Sequence, residues 1–411
     1  MPTSIELQPF IPIILGGNLG AYSTARSFYE AYNTTSLVLC TMITGPIDHS
    51  IFIDPIIEPN MMQPEVLGKL LNAIENRYPN TKKIVLASTD NYVELIINHK
   101  ILFPVSWVIP YVDKELFYPA TNKASFYKIC EQEGVPYPKT LVITDYEAVL
   151  PFDFPIIIKP ADSMKYHSID FPGKEKVYIC KNQESYKKII QNIKDNGYDD
   201  EIILQEYIAG DDSFVGVATV YSSHSTGEVK VVSFGQTLLE DHTPSAIGNH
   251  LAILTKKDDQ IVRDVKKLVK ATGWTGFSNY DVKYDSRDQT YKFFELNARL
   301  GRSNYYVTAA GKNTATYYVK DFIENQSIDY SVADKQILYS TVPKKLLLDN
   351  IQSNELKKIV RQLYKSKEVY HPLASQEEPS MKRKLYVTIA TLNYFKKFKV
   401  YPQPPQLYDP I

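Results

Sequence analysis

A short run late in the chain carries the residue types suited to handling phosphate and a hard metal ion: Phe294-Glu295-Leu296-Asn297-Ala298-Arg299. Tyr291 to Leu296 is rich in aromatic and aliphatic residues and is bounded by polar turn residues, which predicts a strand. Alternate side chains of a strand share a face, so Glu295 and Asn297, with Arg299 beyond them, are expected to point one way. A carboxylate and an amide oxygen are hard donors for a magnesium ion, and a guanidinium fork grips phosphate or carboxylate. Asn279 to Tyr284 reads as the partner strand, with Asp285 to Thr290 as the hairpin loop, and that pairing brings Asp281 beside Glu295 and Asn297. Three oxygen donors then converge on one spot. Taken alone, a Glu-x-Asn-x-Arg run on an edge strand is more often just a solvated face.

Two further motifs precede the hairpin: Ile158-Lys159-Pro160, and Leu204-Gln205-Glu206-Tyr207-Ile208-Ala209-Gly210. In this order, followed by Asp281 and the Glu295 to Arg299 run, the set resembles the ATP-grasp superfamily and its carboxylate-amine ligases. The resemblance implies an α/β fold with an N-terminal parallel-sheet, Rossmann-like domain, a small α+β lid and a C-terminal antiparallel-sheet catalytic domain. It implies ATP and Mg2+ as cofactors, with Asp281, Glu295 and Asn297 as the metal ligands. Lys123, Lys159 and Arg299 would neutralise phosphate charge. Lys123 earns that role from its place shortly before Gly134-Val135-Pro136-Tyr137-Pro138, which matches a family segment. Lys159 ends a short apolar strand, where a charge seldom serves packing, and lysine is a good point-charge partner for phosphate. Gln205 would face the amino group of adenine, Glu206 and Ile208 would give backbone contacts, and Asp212 would take the ribose. Asp211-Asp212 also reads as a plain polar turn. Many members carry a glycine-rich flap after the second lysine, whereas this chain has only Gly173 between Ala161 and Lys176, so Ser163 and Lys165 are the candidates to replace it.

The chemistry implied is ATP-dependent amide ligation. A carboxylate takes the γ-phosphoryl group to become an acyl phosphate, and an amine attacks it, with the protein supplying positioning and charge neutralisation. No covalent nucleophile is required, and the seven histidines show no triad-like arrangement. Ile13 to Arg26, Thr89-Asp90-Asn91-Tyr92 and Gly301 to Tyr306 are similar to the bacterial D-aspartate ligases, a likeness covering about residues 10 to 330. That family resemblance implies D-aspartate as the acid, activated at its β-carboxylate. The amine acceptor would be a lysine side chain of a peptidoglycan precursor. Arg299 and Arg302 are expected to face one cavity, Arg299 on the transferring phosphate and Arg302 clamping the carboxylate that does not react. Arg302 alternatively caps the following helix or pairs with an acid. Two other functions stay open: a carboxylate-amine ligase making a dipeptide or modifying a cell-surface polymer, and a nucleotide-binding regulatory protein without turnover.

Positioning these groups takes more than one core, because 411 residues exceed a single compact domain. The expected division is an N-terminal α/β domain over 1–118, a linker and lid with the adenine hinge over 119–235, a catalytic part with the metal site over 236–330, and an appendage over 331–411. Phe10 to Leu15 reads as a buried strand, followed by Gly16-Gly17-Asn18-Leu19-Gly20 and a helix from Tyr22 to Tyr32. Leu37 to Cys40 and Ile84 to Ala87, with a helix from Glu65 to Arg77 between them, continue a pattern that argues for a parallel sheet. The glycines fit neither G-x-G-x-x-G nor a phosphate-binding P-loop. Asp90 follows a strand at its C-terminal end, where it serves either as a helix cap or as a ligand contact.

Composition excludes some partners. Formal charge is −1 and the pI near 6.7, so no basic excess exists to hold nucleic acid. Cys40, Cys130 and Cys180 lie far apart without metal spacing, which fits a reducing compartment. The N-terminus shows no positive cluster followed by a long apolar run, so a cytoplasmic protein without a transmembrane segment is expected. Met381-Lys382-Arg383-Lys384 and Phe395-Lys396-Lys397-Phe398-Lys399 read as a solvated strand pair or as a contact with anionic lipid.

Overall fold

The computed structural model describes residues 10–144, 150–161 and 163–403. Along the first of these segments β1 (Phe10–Leu15), α1 (Leu19–Tyr32), β2 (Ser36–Cys40), β3 (Ile53–Ile57), α2 (Pro64–Arg77), β4 (Lys82–Ala87) and α3 (Asp90–Asn98) alternate. Every strand pair here is parallel, in the order β3-β2-β1-β4. The near-continuous apolar runs of β1, β2 and β4 are buried, as a sheet covered on both faces requires. Strand order reverses between β1 and β4, so the loops after these two strands form the crevice where open parallel sheets bind ligands. Gly16 turns there at φ +104°, and a Cβ on it would overlap Ser88 Oγ and the Tyr92 ring, so the turn admits only glycine. Asn18 then caps α1, accepting from the Ala21 amide at 3.0 Å, while its own amide donates to the Ser88 carbonyl at 3.1 Å. One side chain ties the two crevice loops together.

After α4 (Lys114–Thr121), Asn122 caps α5 (Lys123–Glu133) and Gly134 ends it at φ +61°. A small α+β unit follows, the part expected to be the lid: β5 (Thr140–Ile143), β6 (Ile156–Pro160), α6 (Ser163–Ser168), β7 (Tyr178–Cys180), α7 (Gln183–Asp195) and β8 (Ile202–Glu206). Its sheet is antiparallel, in the order β5-β8-β6-β7, and has its own core around Ile156, Ile158, Tyr186, Ile190 and Leu204. In place of a glycine-rich flap the chain forms α6, from which Lys165 pairs with Asp200 at 2.5 Å. The side chain of Ser163 lies outside the described residues.

The third sheet takes β9 (Val215–Ser222), β10 (Val229–Glu240), β11 (His250–Thr255), β12 (Gly276–Asp285) and β13 (Thr290–Asn297), with α8 (Asp259–Thr272) before the last hairpin. Then come α9 (Tyr305–Ala309), α10 (Thr314–Tyr318), β14 (Ser331–Ala333), β15 (Leu338–Ser340), α11 (Lys344–Asn350), α12 (Asn354–Ser366), β16 (Val369–Tyr370) and α13 (Met381–Val400). Strand order is β13-β12-β9-β10-β11-β15-β16, with β14 on β10. The sheet expected to be antiparallel is therefore mixed: β14 and β16 return through helical connections and so pair parallel to β10 and β15. Leu15 and Val85 of the first sheet share one core with Phe126, Tyr280 and Phe293, which fixes α5 and the β12–β13 hairpin against the crevice.

The C-terminal basic runs correct the strand-pair expectation, because both lie on the single helix α13. Met381 to Val400 contains no glycine or proline, and Ser380 caps it by accepting from the Arg383 amide. The helix is pinned to the N-terminal domain by buried charge. Arg383 pairs with Glu378, which also accepts from the Tyr22 hydroxyl at 3.0 Å, and Arg383 donates to the Asp48 carbonyl at 2.9 Å. Among the described residues no helix is long and apolar enough to cross a membrane.

Candidate active site

The β12–β13 hairpin sets Asp281 directly opposite Glu295 and Asn279 opposite Asn297. Two carboxylates on one face of a cross-strand pair repel unless a cation or a proton intervenes. Asn297 donates from its amide to Asp281 at 3.2 Å, and Lys123, the first residue of α5, brings its ammonium to 3.1 Å from Glu295. The asymmetry decides the charge. Lys123 holds the Glu295 carboxyl well below the usual carboxylate range, whereas burial and the neighbouring Glu295 push Asp281 well above it. All three expected metal ligands are thus brought together.

Lys159, at the end of β6, is buried and donates to Gln205 at 3.1 Å and to the Tyr127 hydroxyl at 3.2 Å. Burial lowers its ammonium to a pKa of about 7, with Lys123 acting in the same direction. Gln205 departs from its expected part at the adenine. It sits in the middle of the lid sheet, opposite Thr140 on β5 and Ile157 on β6, and its side chain is fully buried. Its oxygen takes Lys159, and its amide goes to Thr140 at 2.8 Å and Tyr127 at 3.0 Å, so the side chain is committed to protein partners.

Glu206 alternates to the other side of β8. Its carboxylate accepts from the Lys139 amide at 2.8 Å and pairs with Arg287 at 2.8 Å. Ile208 follows, buried, just past the strand end. Asp212 opens a short 3-10 turn, where it accepts from the Glu240 amide at 2.8 Å and meets His242 Nε2 at 2.9 Å. Glu240 beside it, on β10, is pushed up to about 7 by burial and by Asp212, while burial lowers Lys283 on β12, across the intervening β9. Arg287, Glu240, His242 and Tyr127 had no signature in the sequence. Lys283 had one, since it shares the Asp281 face of β12 by strand alternation.

Asp90 is neither a cap nor free. Thr89 occupies the cap position of α3, and the Asp90 carboxylate pairs with Arg299 at 2.6 Å. Arg299 thereby stands at the crevice between β1 and β4, donating also to the Leu300 carbonyl at 3.3 Å, and its Nε is buried without a partner. Arg302 does not join it. The strand ends at Asn297, the chain bends at Ala298-Arg299 and turns again at Arg302 to Asn304, so the two arginines diverge. Arg302 lines a different cavity, against α13. It neither caps α9, whose cap residue is Asn304, nor pairs with an acid among the described residues.

The donor set suits magnesium: two carboxylates and one amide oxygen are the hard donors this ion takes. Because the third donor is an amide, no group of three His, Cys, Asp or Glu converges as metal ligands among the described residues.

Comparison with known proteins agrees with this arrangement. Residues 120–303 match the model of the ATP-grasp domain. The chain is 35% identical to a D-aspartate ligase of Enterococcus faecium (strain Aus0004), across 98% of this chain and 99% of the relative. The chain belongs to the ATP-grasp family. It is a carboxylate-amine ligase that uses ATP and Mg2+ and forms ADP and phosphate. Solved structures share the fold at low identity. N5-carboxyaminoimidazole synthetase from Staphylococcus aureus superposes with a TM-score of 0.57 at 14% identity, over 86% of each chain. The biotin carboxylase domain of Hydrogenobacter thermophilus 2-oxoglutarate carboxylase, a complex containing MgADP, gives 0.59 at 13% identity, over 80% of this chain and 73% of the other.

Proposed function

We propose that this ligase activates the β-carboxylate of D-aspartate as an acyl phosphate and joins it to the lysine side-chain amine of a peptidoglycan precursor. The observation that carries the substrate is the 35% identity to a D-aspartate ligase over nearly the whole of both chains, including segments outside the ATP-grasp match. The geometry supports the order of events. Carboxylates are poor electrophiles, so an acid must first acquire a phosphate leaving group, and that step piles negative charge onto one place. Lys123 and Arg299 set positive charge beside the Asp281–Glu295 pair, and Lys159, lowered to about 7, is recharged when phosphate arrives. In this reading Asp281, Glu295 and Asn297 hold Mg2+, which when bound draws charge from the phosphate oxygens. Arg299, held by Asp90 at the crevice, meets the transferring phosphoryl group. Backbone groups of Glu206 and Ile208 take the adenine and Asp212 the ribose. Residues 119–235 act as linker and lid and 236–330 as the catalytic part. A cytoplasmic location follows from the need for ATP and from three buried free cysteines.

The reading is tested by incubating the protein with ATP, Mg2+, hydroxylamine and each D- and L-amino acid in turn. D-aspartate alone should give an aspartyl hydroxamate together with ADP and phosphate. Stimulation by another amino acid, with D-aspartate inert, would overturn the substrate assignment.

A further inference from the structure

The C-terminal segment, residues 331–411, is outside the ATP-grasp match and has no part in the chemistry described above. Yet α13 builds one wall of a cavity of about 430 Å3, and Arg302 stands on the opposite wall. The side chains that count for its chemistry are Arg302, Lys396, Lys397, His371, Tyr386 and Tyr394. Among the described residues no aspartate or glutamate lines it. Lys397 is neutralised by Asp241 at 2.5 Å, outside the lining, whereas Arg302 and Lys396 form no ion pair among the described residues. Burial lowers His371 to a pKa of about 4, and both its ring nitrogens are bonded within the protein, Nδ1 to the Leu373 amide at 3.2 Å and Nε2 to Thr391 at 3.1 Å, so it adds a neutral wall. The wall is rigid, because α13 is held to the N-terminal domain through Arg383, Glu378 and Tyr22.

The cavity also adjoins the reactive crevice. Leu19 lines it, and the next residue toward the N-terminus is Asn18, which bridges to Ser88 beside the Asp90–Arg299 pair. A Cβ on Gly20 would sit 3.3 Å from the Arg302 Cα, so Arg302 is packed against the first turn of α1. A molecule whose amine enters the crevice between β1 and β4 has this cationic pocket within reach on the other side of the α1 N-terminus. Two cations beside aromatic walls, with the one nearby acid, Asp241, already paired to Lys397, select for an anion on an otherwise uncharged arm.

We propose that Arg302, Lys396 and the α13 wall form an anion subsite for the amine acceptor, holding a carboxylate or phosphate that the acceptor carries away from its reacting amine. The proposal rests on the ligase reading above and gives residues 331–411 a substrate-binding role.

The test uses the full chain and acetylated lysine dipeptide amides of three kinds: Glu-Lys, phosphoserine-Lys and Gln-Lys. Calorimetric titration should show one or both anionic peptides binding about tenfold more tightly than the neutral one, the worth of one charged hydrogen bond. Glu-Lys against phosphoserine-Lys separates a carboxylate from a phosphate source. In Lys396→Gln and in Arg302→Gln that preference should shrink toward one, with the neutral peptide as internal reference and the melting curve as a check on folding. Equal binding of all three peptides, or an anion preference that survives both substitutions, would overturn the proposal. A rise in the KM for D-aspartate in Arg302→Gln, with hydroxylamine as acceptor, would instead return this arginine to the acid substrate. Titration requires no turnover, so absence of hydroxamate formation counts against the reaction assignment and leaves this result readable.

Discussion

The Lys123 ammonium lies 3.1 Å from Glu295 and so determines which of two facing carboxylates carries the charge. The lysine holds the Glu295 carboxyl well below the usual carboxylate range, while burial and Glu295 push Asp281 well above it. A cation between the two gains both carboxylates and the Asn297 amide at once. Glu295→Gln keeps the shape but removes the charge, leaving Lys123 unpaired and the metal with one carboxylate. Turnover should fall by roughly a hundredfold or more, the scale of losing a main electrostatic contact in an active site. Nucleotide binding, measured by titration with ADP, should change only a few-fold. Near-normal turnover in this variant would remove the metal from this hairpin.

Lys159 yields a prediction about protons. Its folded pKa, about 7, lies below that of a lysine in water. Between these values the unfolded chain binds a proton that the folded chain does not, so this group's contribution to stability is present above the unfolded pKa and lost as pH falls through about 7. For binding the sign is opposite. At a pH about one unit above 7 the amine is mostly neutral, and an arriving polyphosphate recharges it. ATP binding should then take up close to one proton, seen by titration in buffers of different ionisation enthalpy. Lys159→Ala should abolish the uptake and weaken ATP far more than adenosine. Equal losses for both ligands would make Lys159 a structural residue of the lid.

Asp90 and Arg299 pair across 209 positions of sequence. The carboxylate side chain is half exposed, so the pair stabilises the fold by less than about 1 kcal/mol. Its weight lies in orientation, because the guanidinium must be aimed before the phosphate arrives. Asp90→Asn should leave the melting curve nearly unchanged and lower kcat by roughly tenfold, with the KM for ATP little altered. A loss of stability without a loss of kcat would assign the pair to domain packing.

These cases mark what the sequence could disclose. Asp281, Glu295 and Asn297 were legible as neighbours because a period of two and a turn bring the two strands of a hairpin together, but their exact register was not: the turn alone would set Asp281 opposite Phe294, and a bulge after Phe293 shifts it to Glu295. The parallel sheet and its ligand crevice were legible from glycine turns after apolar strands. Contacts between distant segments were not. Nothing local in Asp90 or Arg299 announces the other, and the burial of Gln205 depends on two strands arriving from either side. The C-terminal helix was misread for another reason. Two short basic runs taken separately hide the better signal, twenty residues without glycine or proline. Tertiary packing against the N-terminal domain decides for the helix.

Arg287 shows how far such a hidden contact reaches. It stands in the β12–β13 hairpin loop, where the sequence offers only a turn, yet its guanidinium spans to Glu206 at 2.8 Å and to Asp285 at 2.5 Å. Both carboxylates are buried, and Glu206 also accepts from the Lys139 amide at 2.8 Å. The arginine therefore locks the end of β8, whose backbone is proposed to meet adenine, to the hairpin that carries the proposed metal ligands. Its own side chain is half exposed, so solvent screens part of the attraction. Removing it strands two buried acids, and the penalty falls mainly on them: about 1–3 kcal/mol of stability in Arg287→Ala. The KM for ATP should rise by roughly tenfold with kcat little changed. Adenosine should weaken in parallel with ATP, which separates this variant from Lys159→Ala, where only the phosphate-bearing ligand suffers. Arg287→Lys should fall between, because an ammonium reaches one carboxylate and the planar fork reaches both. An unchanged KM for ATP, with stability lost, would place the adenine contact elsewhere than the Glu206–Ile208 backbone.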